Sequence, residues 1–359
     1  MFRESSLFPY IRSDIAGTVL LLSALAFGQN APSQGPARPA APSTEQSKAP
    51  DDNAFVESYL TPSLDGSNLV SDGGLVIETD DDDPHFVRDV VRISWRPDDP
   101  IDLYVIKPTG VSKPPVILYL QTFPSETDRF LKADFCRALT GKGFAVVGFV
   151  SALTGQRYHS RPMKEWFVSE LRESLTVSAH DVQMVLTYLS TRGDVDMNRV
   201  GIFGEGSGAS IAILAAAVDP RIKSLDLVDP WGDWPEWMKS SSSIPEKERP
   251  EYVKAEFQEK IAPLDPVKWL PKLKTSSIRL QFIDADTVTP TAARQKIEEV
   301  VPKQARVADF KDGQAFAAAN PGGAGLDWLK TTLQPDFVHD YAAHDAEPGA
   351  LGSEKKVQR

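Results

Sequence analysis

Asn198–Ala217 reads NRVGIFGEGSGASIAILAAA. Val200–Phe203 is a short apolar run, the pattern of a strand buried on both faces. Gly204, Gly206 and Gly208 follow at alternate positions. Ala209–Ala217 is then apolar, the pattern of a buried helix. Glycines placed between a strand and a helix mark a sharp turn where the backbone approaches its neighbours closely.

The same alternation extends outward on both sides. Val87–Trp95 and Ile101–Lys107 flank a Pro-Asp-Asp-Pro turn and predict an antiparallel hairpin, with a short strand at Leu75–Glu78 before it. Buried strands are predicted at Pro115–Gln121, Phe144–Phe149, Ser224–Val228, Ser277–Ile283 and Ala305–Phe310. Helices are predicted at Glu126–Lys142, Ser174–Thr191 and Gly325–Leu333, the second on Val177, Val182, Val185, Leu186 and Leu189 at helical spacing. Strands and helices alternating in this way give an α/β fold. Its central sheet is mostly parallel, with helices on both faces, an N-terminal antiparallel hairpin and a small cap segment at Trp231–Lys274.

Composition sets the outer limits. The chain has 359 residues, 41% of them hydrophobic, enough for one large core. A formal net charge of -11 argues against nucleic acid and anionic membrane surfaces as partners. With a single cysteine, Cys136, no internal disulfide forms. Residues 1–26 read as an export signal: Ile15–Phe27 is uncharged and too short to span a bilayer, and Ala24-Leu25-Ala26 near its end offers small residues at a cleavage site. Retained, it becomes an N-terminal anchor. Residues 27–50, rich in Pro, Ala and Ser, form a tether. A domain at 51–335, which opens with a short helix at Phe55–Leu60, and a tail at 336–359 complete the chain. The organisation is that of an exported protein, periplasmic or secreted.

The central stretch resembles the nucleophile elbow of the α/β-hydrolase superfamily, G-x-S-x-G. The resemblance covers about Val87–Leu333 and is nearest to the esterase, dienelactone-hydrolase and prolyl-oligopeptidase branch. Asp194-Val195-Asp196-Met197-Asn198-Arg199 before the elbow strand and Asp219-Pro220-Arg221-Ile222-Lys223 after its helix support that branch. In register, Gly204 and Gly208 are the outer glycines, Glu205 and Ser207 the variable positions, and Gly206 stands where the nucleophile belongs. A register with Ser207 as nucleophile puts Glu205 at a position that demands a small residue.

The family order is nucleophile, acid, histidine. The acid implied by resemblance is Asp286, in LQFIDADTVTP (Leu280–Pro290), with Asp284 two residues earlier. The histidine belongs in Lys311–Gly325, which has none; by position Gln314 replaces it. Glutamine hydrogen-bonds but does not carry a proton near neutral pH. Among the five histidines, His159 is the best stand-in, in a loop after a strand end. His85 and His180 read as surface or packing residues, and His339 and His344 lie in the tail, where Asp340 and Asp345 beside them make only a weak metal pattern. The oxyanion loop is Gln121-Thr122-Phe123-Pro124, with amides of Thr122, Phe123 and Ser207 as the donors. Trp231, Trp234 and Trp237 rim the site or pack the cap. Glu205 is either a general base on water or a partner of Arg157 or Lys223.

Three readings follow. The first is a catalytically degenerate hydrolase-fold protein that binds a small apolar or acyl-type ligand or a partner protein, with no cofactor or metal. The second is an active serine hydrolase on ester or peptide bonds, using Ser207, Asp286 and a displaced histidine such as His159. The third is a dinucleotide-binding oxidoreductase, since Gly204, Gly206 and Ala209 fit G-x-G-x-x-A, with Asp226 and Asp229 beyond.

Overall fold

A computed structural model of the chain describes residues 71, 73–95, 99–123, 128–152, 157, 170–320 and 326–336. The expected export signal, tether and Phe55–Leu60 helix, nearly all of the tail, and His159, His339 and His344 lie outside the described residues.

Among the described residues nine strands form one sheet. They are β1 (Leu75–Asp80), β2 (Phe86–Ile93), β3 (Ile101–Pro108), β4 (Pro115–Leu120), β5 (Ala145–Gly148), β6 (Asp196–Glu205), β7 (Ile222–Val228), β8 (Ser277–Ile283) and β9 (Arg306–Phe310). Their spatial order is β1-β2-β3-β5-β4-β6-β7-β8-β9. The first three pairings are antiparallel, and every pairing from β5 onward is parallel. The strands read from apolar runs fall within two residues of these bounds, except that β6 begins four residues before its apolar run, at Asp196.

Helices cover both faces, as fully buried parallel strands require. They are α1 (Asp128–Leu131), α2 (Ala133–Thr140), α3 (Leu171–Arg192), α4 (Ser207–Val218), α5 (Trp234–Ser240), α6 (Arg249–Tyr252), α7 (Ala255–Ile261), α8 (Pro266–Trp269), α9 (Thr291–Glu299), α10 (Gly313–Ala319) and α11 (Asp327–Leu333). The pleat of β6 assigns the faces. Val200 and Ile202 pack with residues of α3, α4 and the cap, whereas Phe203 packs with Tyr119 and with residues of α2 and α11. Gly201 lies on the second face, where an added Cβ would sit 2.8 Å from Leu333.

The single helix expected over Glu126–Lys142 is instead α1 and α2, separated by Lys132 in an extended conformation (φ -83°, ψ 117°). The break has a physical cause. Buried Arg88 donates from Nη1 to the carbonyls of Phe130 (3.2 Å) and Leu131 (3.4 Å), oxygens that a continuous helix would commit to its own amides. Glycine at 148 gives the Phe130 ring its place, since a Cβ there would lie 2.0 Å from it.

The cap is a run of short helices, α5 to α8. Asp265 joins its ends: one carboxylate accepts the amides of Asp233, Trp234 and Val267. Among the described residues no helix is long and apolar enough to cross a membrane.

Candidate functional site

Parallel strands bring their C-terminal ends to one edge, and the loops gathered there make the site. At the end of β6 the backbone turns at Gly206, with φ 55° and ψ -117°. No other residue of the turn has positive φ. The outer glycines are fixed by close approach. A Cβ on Gly204 would meet the backbone of Ala209 at 2.8 Å, and one on Gly208 would meet the Leu120 carbonyl oxygen at 2.3 Å. Gly206 N donates to Val228 O at 2.9 Å, which anchors the turn to β7.

The space beyond Gly206 is bounded by polar atoms. A Cβ built there would lie 2.5 Å from Thr122 Oγ1 and 3.1 Å from Trp231 Nε1. Thr122 itself is exposed. Ser207 is fully buried as the first residue of α4, and its Oγ accepts the backbone N–H of Phe123 at 2.7 Å. The hydroxyl and an expected oxyanion donor are thus bonded to each other.

Asp286 lies at the end of β8, two strands from β6. Its two carboxylate oxygens accept the amides of Val288 and Thr289, each at 3.0 Å, closing its own loop. Asp284 pairs with Arg294. Gln314 is exposed on α10, so the loop expected across Lys311–Gly325 begins as a helix capped by Asp312. The inward amide of that segment is Asn320, 4% exposed. Its Nδ2 donates to Gln281 Oε1 (3.3 Å) and to Phe316 O (3.0 Å). Sequence reasoning passed over Asn320 because no local pattern marks which polar residue of a loop turns inward.

Neither described histidine approaches this edge of β6. His85 precedes β2, which runs parallel to β6, so it lies at the opposite end of the sheet. His180, expected near the surface or a sheet edge, is 3% exposed. Its Nδ1 meets Gln183 Oε1 at 3.0 Å, and its ring packs edge-on against Trp95. Burial holds its pKa below the usual value. Trp95 follows β2, four strands from β6, or roughly 19 Å away at the usual strand spacing.

The aromatic residues divide. Trp231 (3% exposed) lies between Phe123 and Trp237, its ring 4.7 Å from that of Trp237. Trp234 and Trp237 are fully buried on α5, with indole N–H groups that find no acceptor among the described residues. These three pack the cap onto the sheet, and Trp231 alone borders Gly206.

Glu205 departs from expectation in its partner. Arg157 is committed to Asp99 and Asp181, and Lys223 to a carbonyl. Glu205 instead faces Arg129 (Oε2 to Nη1, 3.5 Å) and the Tyr119 hydroxyl (3.4 Å). Burial raises its pKa above the ordinary carboxylate value, opposed by Arg129 and Tyr119. Asp226, the acidic residue of the dinucleotide fingerprint, is fully buried within β7 and bonded to Arg279 and Gln281, so no ribose reaches it. Among the described residues no group of three or more potential ligands is placed to hold a metal ion.

The sheet order, the parallel crossovers and the strained turn at the end of β6 define the α/β-hydrolase fold. Solved structures agree. An acetyl xylan esterase from Paenibacillus sp. R4 superposes with a TM-score of 0.59 at 16% identity, over 80% of this chain and 96% of that one. Acetyl Xylan Esterase 1 from Thermoanaerobacterium sp. JW/SL YS485 gives 0.58 at 14% identity, over 74% and 91%. The acylaminoacyl peptidase of Pyrococcus horikoshii gives 0.51 at 14% identity, over 74% of this chain and 50% of that one. No family model and no curated protein sequence matches the chain.

Proposed function

We propose that this is an exported α/β-hydrolase-fold protein that binds a small apolar or acyl-type ligand at the strand ends without cleaving it. The observation that carries this reading is Gly206. It occupies the one residue of the elbow turn with positive φ, and Thr122 Oγ1 stands 2.5 Å from where its Cβ would be. An attacking atom is absent from the position the turn presents. The neighbouring hydroxyl of Ser207 is buried and engaged by the Phe123 amide. Gln314 and Asn320 are the side-chain amides of the segment where a histidine belongs, and an amide does not take up and return a proton near neutral pH. The names of the two esterases similar in fold favour an acyl-type ligand over other apolar molecules.

A fluorophosphonate probe tests the reading. The protein is expected to remain unlabelled under conditions that label an active serine esterase completely. A phosphonyl adduct on Ser207 would establish the serine-hydrolase reading in its place. Export rests on the sequence of residues 1–26. Protein recovered from the periplasm of a bacterial host is expected to begin near residue 27, and recovery of the full chain from the cytoplasm would remove the proposal.

A further inference from the structure

We propose that Arg129, Tyr119 and Glu205 form a site for the carboxylate of a small monoacid, held on the unused edge of the Arg129 guanidinium. This names the ligand class for the binding reading above and rests on it. Tyr119 is the fifth residue of β4, Glu205 the last of β6, and Arg129 belongs to α1. Arg129 Nη1 donates to the Tyr119 hydroxyl at 3.1 Å and lies 3.5 Å from Glu205 Oε2. Its Nε and Nη2 have no partner among the described residues. The guanidinium lies over the rings of Tyr119 and Phe135, at 5.8 and 5.7 Å from their centroids. That contact directs its free edge without occupying it. The side chains of Arg129 and Glu205 keep 40% and 30% of their exposure, so the site is reached from solvent.

The distances show an under-committed pair. Charge-assisted bonds run to about 2.7–2.9 Å, whereas Glu205 makes its two contacts at 3.4 and 3.5 Å. A planar carboxylate fits the fork of Nε and Nη2 in two parallel bonds. Charge then selects the ligand. Arg129 and Glu205 sum to zero, and among the described residues they and Tyr119 are the charged and titratable groups that face one another here. A second negative charge at Arg129 drives a proton onto Glu205, which burial already favours. The neutral carboxyl then leaves the Arg129 charge to the ligand, and the net charge stays at zero. A phosphate dianion would leave a partly buried excess negative charge, so a monoacid is preferred.

Calorimetric titration of the full chain with benzoate, and separately with inorganic phosphate, tests this at pH 5.5, 6.5 and 7.5. Benzoate is expected to bind saturably with uptake of close to one proton at pH 7.5, and to weaken by up to about tenfold per pH unit. At pH 7.5, where most inorganic phosphate is the dianion, it is expected to bind several-fold more weakly. R129Q should lose at least tenfold in benzoate affinity with unchanged melting. E205Q should bind benzoate more tightly at pH 7.5 and without pH dependence. No saturable benzoate binding, binding indifferent to R129Q, or phosphate bound as tightly would overturn the proposal. A benzoate site alongside fluorophosphonate labelling of Ser207 would instead overturn the non-cleaving reading and leave the carboxylate site standing.

Discussion

Ser207 Oγ accepts the Phe123 backbone N–H at 2.7 Å, both groups buried at the junction of α4 and the loop after β4. The hydroxyl beside the turn therefore holds the loop after β4 in place. Removing an acceptor from a buried amide costs about 1–3 kcal/mol. S207A is expected to lose stability in that range by urea denaturation, with the same m-value. A stability equal to wild type would show that the bond contributes nothing to the loop.

Placing a serine at Gly206 meets two obstacles. A side chain at positive φ costs about 1–2 kcal/mol, and the new Cβ would press on Thr122 Oγ1 at 2.5 Å and Trp231 Nε1 at 3.1 Å. Overpacking of this kind costs about 1–3 kcal/mol. Thr122 is exposed and Trp231 is buried, so the first contact is the one that yields. G206S is expected to be destabilised, and G206S/T122A to recover about half the loss in a melting experiment. Ester hydrolysis is not expected from either variant, because neither supplies a proton acceptor.

The fold was legible because burial leaves a one-dimensional trace. Runs such as Pro115–Leu120 and Phe144–Phe149 carry no polar residue, and every residue of β4 is buried. The glycine spacing of the turn was legible for the same kind of reason, since Gly204 and Gly208 are demanded by backbone contacts at 2.8 and 2.3 Å. Side-chain partners across the sheet were not. Glu205 meets Arg129 rather than Arg157, because strand order, not proximity in the chain, decides which loop faces β6. α9 also went unread: between β8 and β9 it buries only Ala293 and Ile297, too few to set a period.

Arg157 makes a buried ionic centre just beyond the end of β5. It pairs with both oxygens of Asp99, reaches Asp181 Oδ2 at 2.6 Å, and donates to Val150 O at 3.1 Å. Trp95 Nε1 completes Asp181 at 2.7 Å. Removing one member of a buried ion network strands the others and costs about 3–5 kcal/mol. R157M is expected to lose that much by denaturant titration. R157M combined with D99N and D181N should recover most of it, since no unpaired charge then remains. A triple variant as unstable as the single one would show that packing, not charge, sets the cost.

Asp229 couples stability to pH. It stands at the end of β7 with φ 43°, and its Oδ1 accepts the Ile283 amide at 2.9 Å. Burial first, then the nearby charges of Asp286 and Asp284, push its carboxyl up to about 7, against the opposing pull of the Ile283 bond and Arg294. An unfolded aspartate titrates near about 3.9. Between these values the folded state holds a proton that the unfolded chain releases, so stability falls as pH rises. The contribution is complete below the unfolded value and gone once pH passes the folded one. D229N keeps an oxygen for Ile283 and suits a left-handed backbone, which asparagine tolerates well. It is expected to match wild type near pH 4, to gain on it as pH rises, and to exceed it by up to about 4 kcal/mol at pH 8. Urea denaturation at pH 4.5, 6 and 8 reads the gap. A gap that stays flat or narrows with pH would place the proton elsewhere.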